Sequence, residues 1–388
     1  SIRILAYRNN VLEMSSSAGV PAPRWELYRV LSEPIRLRLL ALTADEELAV
    51  GELAELLGES QPNISRHAAA LKQSGLLAVR RQGTRTLLQL RDDAEADPVV
   101  ADALASGRAL CDADGSRARV ADLVRTRDAL GREFFARPVE SSVARPAPEL
   151  GAYVRMLAPL LPRRARESVA LDAGTGDGGL LDVLSPAYTR VVAVDRSEAQ
   201  LTRARERVAL RLFDNVVFAL GELDGPEVRA ALVAEAGEGA DAVFAARLLH
   251  HAPKPALVVS QLADLCRVGG TVVILDYLHH DDEAMRDQAD LWLGFRGAEL
   301  KTFARQAGLE DARVETIPAM LNGKGPDAHL TWQLLVGTKR GAREIKTSRD
   351  NGNTGTKRTA AKGDPDGRGP RSADLQVGTK RRKAVGHG

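Results

Sequence analysis

Ser168–Gly179, reading SVALDAGTGDGG, constrains this chain more than any other stretch. A short apolar run ends in Asp172 and passes at once into glycines at 174, 176, 178 and 179. An apolar run of that length reads as a buried strand. Glycines after it supply positive φ and let backbone approach a ligand closely, and the helix that follows offers unpaired N–H groups. A second buried run, VVAVDRS, ends in Asp195. A carboxylate at the carboxyl edge of a parallel sheet suits the two ribose hydroxyls of an adenosine. The pattern predicts an α/β sheet that binds a nucleoside.

The glycines alone leave the nucleoside open. Gly174 to Gly179 satisfies both the Gly-x-Gly-x-x-Gly spacing of dinucleotide sites and the Gly-x-Gly-x-Gly spacing of other adenosine cofactors. Asp172 would attract an ammonium group and repel a pyrophosphate. Further strand-end patterns recur in VVFALGELDG, DAVFAARLLHHAP and VGGTVVILDYLHHDD. Together these stretches resemble class I S-adenosylmethionine-dependent methyltransferases over about residues 150–338. The resemblance implies a Rossmann-like α/β domain, S-adenosyl-L-methionine as cofactor and S-adenosyl-L-homocysteine as product. It implies that Asp172, Gly174, Thr175 and Gly176 hold the methionine part and Asp195, with Arg196 beside it, the ribose. Glu222, where the family more often has Asp, and Leu223 would hold the adenine, and Ala246 and Arg247 would line the floor beside the methyl group.

Methyl transfer is an in-line displacement at an activated sulfonium, so alignment supplies most of the acceleration and a general base is optional. His250 and His251, after the fourth strand, are the candidates for such a base, against the plainer reading of structural loop histidines. The cluster His279-His280-Asp281-Asp282-Glu283 reads as a capped helix start rather than a metal site, because adjacent residues point apart. No metal is expected. Downstream, residues 282–309 predict two helices with Trp292, Leu293 and Phe295 between them, covering the site, and ARVETIPAM and LTWQLLVGTKR predict closing strands.

A different periodicity governs the N-terminal part. Apolar residues at helical intervals in WELYRVL and PIRLRLLAL lead into VGELAELLG, which stops at Gly58. Ser60 then caps a helix with Pro62 in its first turn, and LLAVRRQGTRTLLQL gives two alternating strands around Gln82-Gly83-Thr84. This is a winged helix-turn-helix. Ser60 to Arg91 carries six Lys and Arg and no acid, whereas Asp45 to Glu59 carries six acids and no base. That sign suits duplex phosphates. Ser60, Gln61, Asn63, Ser65, Arg66 and His67 are placed to meet base edges or phosphates, and Arg80, Arg81 and Arg85 to hold flanking phosphates. The bland alternative is a winged helix that makes protein contacts alone.

The stretch PIRLRLL to TRTLLQL resembles the ArsR/SmtB family of winged-helix repressors, which implies binding of an operator in double-stranded DNA as a homodimer. Metal-sensing members of that family carry Cys-x-Cys before the turn, where this chain has Ala49 and Gly51. Sensing through those thiolates is thereby removed, and another signal is required.

The expected organisation is an extension over 1–23, the winged unit over 24–91, a helical connector, dimerisation segment and linker over 92–149, the methyltransferase-like domain over 150–338, and a basic tail over 339–388. The connector should break near Asp112–Gly115. The extension, SIRILAYRNNVLE before Met14, is set aside as an upstream segment or misassigned start. The tail holds 14 Lys and Arg against 5 Asp and Glu, so a chain of formal charge +2 divides into a +9 tail and an acidic remainder. Nearly devoid of large apolar residues, that tail is expected to be disordered.

Cys111 and Cys266 lie far apart, which excludes a disulfide framework. With no apolar run near the roughly 18 residues of a membrane span, a cytoplasmic protein without membrane contact is expected. Two function classes follow. One is a DNA-binding regulator whose second domain also methylates a small-molecule acceptor, and the other is a repressor that senses the cofactor or its product without turnover. A nicotinamide-dependent dehydrogenase with an appended winged helix is a third reading, disfavoured by Asp172.

Overall fold

The computed structural model describes residues 24–137, 147, 149–161, 168–317 and 326–341. The N-terminal extension, most of the proline-rich segment 137–150 and the tail beyond 341 lie outside the described residues.

The N-terminal part begins with α1 (Trp25–Leu31) and α2 (Pro34–Asp45), followed by β1 (Leu48–Ala49), α3 (Val50–Leu57) and α4 (Gln61–Gln73). Gly58 ends α3 in the left-handed region at φ 66°, and Ser60 Oγ accepts from Asn63 N at 3.4 Å to cap α4. Those two residues make the helix-turn-helix corner. The wing is β2 (Leu77–Gln82) and β3 (Arg85–Leu90), and β1 adds a third, short strand beside β3 that the sequence pattern did not show. Leu39, Leu40, Leu42, Leu53, Ile64, Leu71 and Leu88 are buried in one cluster.

The connector is α5 (Pro98–Ala113) and α6 (Ser116–Ala136), broken where expected by Gly115 at φ 73°. Helix α5 lies so close to α2 that a Cβ at Gly107 would stand 2.1 Å from the Leu37 carbonyl oxygen.

The second domain starts at α7 (Leu150–Leu157), then β4 (Val169–Ala173), α8 (Leu181–Leu184), β5 (Arg190–Asp195), α9 (Glu198–Arg211) and β6 (Val216–Leu220). It continues through α10 (Pro226–Ala236), β7 (Ala240–Ala246), α11 (Pro255–Leu265), β8 (Cys266–Tyr277), α12 (Gly297–Gln306), β9 (Leu309–Ile317) and β10 (Trp332–Lys339). Its seven strands lie in the order β6-β5-β4-β7-β8-β10-β9, with β10 antiparallel to both neighbours and the β4, β5, β6, β7 and β8 pairings parallel. The winding reverses between β4 and β7, and ligands of open α/β sheets bind at such a reversal, beyond the carboxyl ends of the strands. One apolar cluster packs on each face of this sheet. In place of the first helix expected after 282, a single 3-10 turn runs over Glu283–Gln288, capped by Asp282 Oδ1 on Ala284 N at 3.0 Å.

Candidate functional site

The glycine loop leaves β4 with Gly174 at φ 68° and Gly176 at φ 55°. That conformation favours glycine at 174, where a Cβ would also come 2.8 Å from Leu248 Cδ1 and displace that side chain. Asp195, at the end of β5, latches the loop: its Oδ2 accepts from Gly176 N at 2.9 Å and its Oδ1 from Ser197 N at 2.9 Å. Burial raises the pKa of Asp195 in spite of these bonds. Asp172 is almost fully buried and accepts from Thr175 Oγ1 at 2.6 Å, and burial pushes its pKa up to about 7.

Beyond these strand ends opens a cavity of about 910 Å³, within the roughly 300–1,000 Å³ usual for small-molecule sites. Gly174, Gly176, Asp195, Arg196, Glu222, Leu223 and Arg247 line it, which brings together seven of the ten residues assigned to the cofactor from sequence. Asp172 and Thr175 lie beneath the loop and shape it, outside the lining. Ala246 does not reach the cavity and instead borders a small crevice with Leu157, Leu180 and Phe244. Arg247 holds the left-handed φ of 57°, a strained conformation for a non-glycine residue and one that clusters at functional sites. Its guanidinium is tied down by Glu149 at 2.7 Å and Asp327 at 3.2 Å.

The wall opposite the sheet comes from the connector, which sequence reasoning missed. Val124, Asp128, Arg132 and Phe135 of α6 face the cavity. Asp128 pairs with Arg196, and Arg132 pairs with Glu222. Phe135 O accepts from Ser197 Oγ at 3.0 Å, and the Phe135 ring meets His251 edge-on at 4.8 Å. The helical spacing of Val124, Asp128 and Phe135 was the available signal. Residues 282–309, expected to cover the site, contribute nothing to its lining; Glu283, Trp292 and Glu299 among them meet the wing instead.

That packing changes the reading of the wing. Arg80 is not presented to phosphate: its side chain is bound by Glu47 at 2.6 and 2.7 Å and by Glu299 at 3.2 Å, and it stacks over Trp292. At the wing tip Gly83 N donates to Asp281 Oδ1 at 3.1 Å and Thr84 N to Glu283 Oε1 at 2.7 Å. A Cβ at Gly83 would meet that same Glu283 oxygen at 2.0 Å. Arg85 is exposed, but burial and the nearby Arg286 lower its pKa. Arg81 remains exposed.

On α4, Ser60, Gln61, Ser65 and Arg66 are exposed, and Asn63 is half-buried with its amide on Glu59 at 2.7 Å. His67 departs from the expected DNA face. It is buried against α2, accepts from Arg36 Nε at 3.3 Å, and burial lowers its pKa.

His250 and His251 also divide. His250 is fully enclosed, bonded through Nδ1 to Asp276 Oδ1 at 2.8 Å and stacked on Tyr277, so it is remote from any acceptor. Burial opposes its charge, yet Asp276 and Asp290 outweigh that and raise its pKa. His251 lines the cavity, places Nδ1 3.1 Å from the Ala289 carbonyl oxygen, and is driven well below the usual imidazole range by burial and by His250. It is thereby neutral at pH 7, and a proton on Nδ1 leaves Nε2 as an acceptor.

Residues 31–80 match a helix-turn-helix domain and residues 171–272 a methyltransferase domain. The chain is 37% identical over 68 residues to the HTH-type transcriptional regulator KmtR of Mycobacterium tuberculosis, covering 18% of this chain and 52% of that protein. It is 44% identical over 59 residues to the arsenical resistance operon repressor of Escherichia coli, covering 15% of this chain and 50% of that one. A phosphatidylethanolamine N-methyltransferase of Cereibacter sphaeroides is 36% identical over 129 residues, 30% of this chain and 54% of that enzyme. The chain spans about half the length of each of these relatives. It joins a helix-turn-helix domain to a methyltransferase domain, which decides the glycine loop against the dinucleotide spacing.

Proposed function

We propose that this chain is a DNA-binding regulator whose methyltransferase domain binds S-adenosylmethionine, and that occupancy of that site sets affinity for operator DNA. The residues fit the cofactor: a glycine cradle that a Cβ at Gly174 would fill, a strand-end carboxylate at Asp195, and a largely apolar cavity of suitable size. The cofactor, when bound, supplies a methyl group on an activated sulfonium. The chain contributes orientation and exclusion of water. The loop glycines hold the methionine part, Asp195 fixes the ribose, Leu223 and the stem of Glu222 flank the base, and α6 closes the far side. An acceptor entering from the His251 wall would meet a neutral imidazole able to take a proton, although alignment carries most of the rate. A small-molecule acceptor fits the size of the cavity better than a polymer.

The observation that carries the coupling is that one helix serves both domains. Arg127 of α6 binds Glu52 of the helix-turn-helix, while Asp128 and Arg132 of the same helix face the cavity. Residues 120–136 therefore cannot shift for a ligand without pulling on α3. Exposed Ser60, Gln61, Ser65 and Arg66 make the duplex contact, with Arg81 on a phosphate. Exposed Trp25 and Tyr28 on α1 support assembly into a homodimer. Among the described residues no helix is long and apolar enough to cross a membrane, in keeping with action on DNA in the cytoplasm.

Calorimetry of S-adenosylmethionine and S-adenosylhomocysteine against the full chain, with and without its own promoter DNA, tests this reading. Binding whose affinity changes with DNA requires an equal and reciprocal effect of ligand on DNA. Binding indifferent to DNA would make the domain an independent enzyme, and the absence of any binding would overturn the cofactor assignment.

A further inference from the structure

Behind the cavity wall His251 meets two buried groups, His250 and Asp290, that methyl transfer does not use. Asp290 is nearly fully buried, yet neither of its carboxylate oxygens has a hydrogen-bond partner among the described residues. His250 Nε2, equally buried and equally unpartnered, stands 3.7 Å from Asp290 Oδ1. His251 Nδ1 stands 3.6 Å from that same oxygen. One ligand atom from each of the three residues falls within 4.8 Å of the others. Buried polar groups are nearly always satisfied, so this convergence calls for something between them.

The neighbouring groups fix the orientation of this cluster. Asp276 accepts from His250 Nδ1, from Leu249 N at 2.9 Å and from Tyr277 N at 2.8 Å, which holds it as an acceptor and puts the His250 proton on Nδ1. With His250 neutral, the Nε2 lone pair is then aimed at a carboxylate, an arrangement that repels unless a proton or a metal cation intervenes. A carboxylate behind a ligating imidazole is the usual outer support of a metal site, fixing the ring and raising its basicity. Ligands about 2.0–2.2 Å from a tetrahedral centre lie roughly 3.3–3.6 Å from one another, close to the 3.7 and 3.6 Å that separate Asp290 Oδ1 from His250 and His251.

We propose that His250, His251 and Asp290 form a binding site for one borderline divalent cation, of the chemistry of Zn²⁺ or Co²⁺. His251 exchanges its contact with the Ala289 carbonyl for the cation. The donor set of two imidazoles and one carboxylate suits such ions better than Mg²⁺ or Ca²⁺, which take oxygen ligands. The cation would staple the turn after β7 to the loop ahead of Trp292. That loop is already hung from His250 O by Leu291 N at 2.9 Å and Trp292 N at 3.1 Å, and it carries the contacts to the wing. The site therefore lies between cavity and wing, in residues far apart in sequence.

The test is titration of the full chain, stripped with a chelator, with Co²⁺ followed by visible absorption and with Zn²⁺ followed by calorimetry. One equivalent of Co²⁺ with an intense tetrahedral spectrum, displaced by Zn²⁺, is expected, together with a rise in melting temperature. His251→Gln and Asp290→Asn should each abolish that spectrum, and Asp276→Asn should weaken binding by about 10–100-fold. His251→Gln replaces a partly accessible side chain and guards against misfolding, which circular dichroism checks in each variant. Absence of saturable binding, or binding that these substitutions leave unchanged, would overturn the site. Calorimetry with S-adenosylhomocysteine on the same stripped protein reads the cofactor site separately.

Discussion

Arg127 Nη2 donates to both carboxylate oxygens of Glu52, at 2.7 and 2.6 Å. Glu52 Oε2 at the same time accepts from Ala49 N at 2.7 Å, closing the first turn of α3. The first helix of the helix-turn-helix thus begins on a carboxylate that the connector holds. One residue along, Asp128 pairs with Arg196 at the cofactor cavity. A rotation of α6 that loosens one pair is felt by the other.

Arg127→Ala should leave Glu52 half-buried with a single partner. Removing one member of a largely buried pair costs about 3 kcal/mol, to be read as a lower denaturation midpoint at unchanged slope. The same variant should bind S-adenosylhomocysteine normally while losing the effect of that ligand on DNA affinity. An intact ligand effect in the variant would move the coupling elsewhere.

Asp195→Ala removes the acceptor of two backbone N–H groups that fix the glycine loop. Charged hydrogen bonds of this kind are worth about 1.5–3 kcal/mol each. Losing one of them in the complex corresponds to a fall of about 100-fold in S-adenosylhomocysteine affinity, measured by calorimetry, with DNA binding by the unliganded protein retained.

Burial raises the Asp172 pKa from the ordinary 3.8 to about 7. The folded chain therefore binds the proton more tightly than the unfolded one. The ionised carboxylate weighs against folding progressively from pH 4 to 7, and that contribution is constant above. A cofactor ammonium favours the ionised form, so affinity should rise about tenfold between pH 6 and 8. Asp172→Asn should flatten that profile, and a profile identical to wild type would remove Asp172 from recognition.

Glu283 is held down to about 2 by the Thr84 backbone N–H and by Arg286, against burial. A lowered carboxylate pKa stabilises above the unfolded value of 4.5 and is lost as pH falls through 2. The wing contact should accordingly loosen in that acid window. At neutral pH, Glu283→Ala with Asp281→Ala frees two wing-tip N–H groups and removes two negative charges near Arg85. DNA affinity should rise, and the salt dependence should steepen by about one phosphate contact. Unchanged affinity would mean that the wing stays docked on DNA.

Local patterns in the chain were readable because local physics sets them. Gly58, Ser60 and Gly115 end or begin helices by conformation and capping alone, and the glycine loop with Asp195 needed no tertiary information. The failures share one origin. His67 sits on α4 beside Arg66, but the helical phase turns it under α2, where burial and Arg36 claim it. Arg80 carries the right charge for phosphate, yet Glu47 and Glu299, 33 and 219 positions away, outbid solvent. The cavity wall from α6 and the meeting of His250 with Asp290 are likewise products of long-range packing. Residues 282–309 read as a cover from their helical spacing and aromatic residues, but Trp292, Phe295, Leu300 and Ala304 join the core on one face of the sheet.

The indole of Trp292 lies between two guanidiniums, Arg80 from the wing at 5.3 Å and Arg127 from the connector at 5.6 Å, and gives its N–H to Ala252 O at 2.7 Å. This makes the two halves poor candidates for interchange. A chimera that kept the methyltransferase domain and took its winged unit from elsewhere would inherit an uncovered indole and a loop shaped for a glycine at position 83. Chains that join the same two domains are accordingly expected to vary as pairs at the positions of Arg80, Gly83, Arg127 and Trp292.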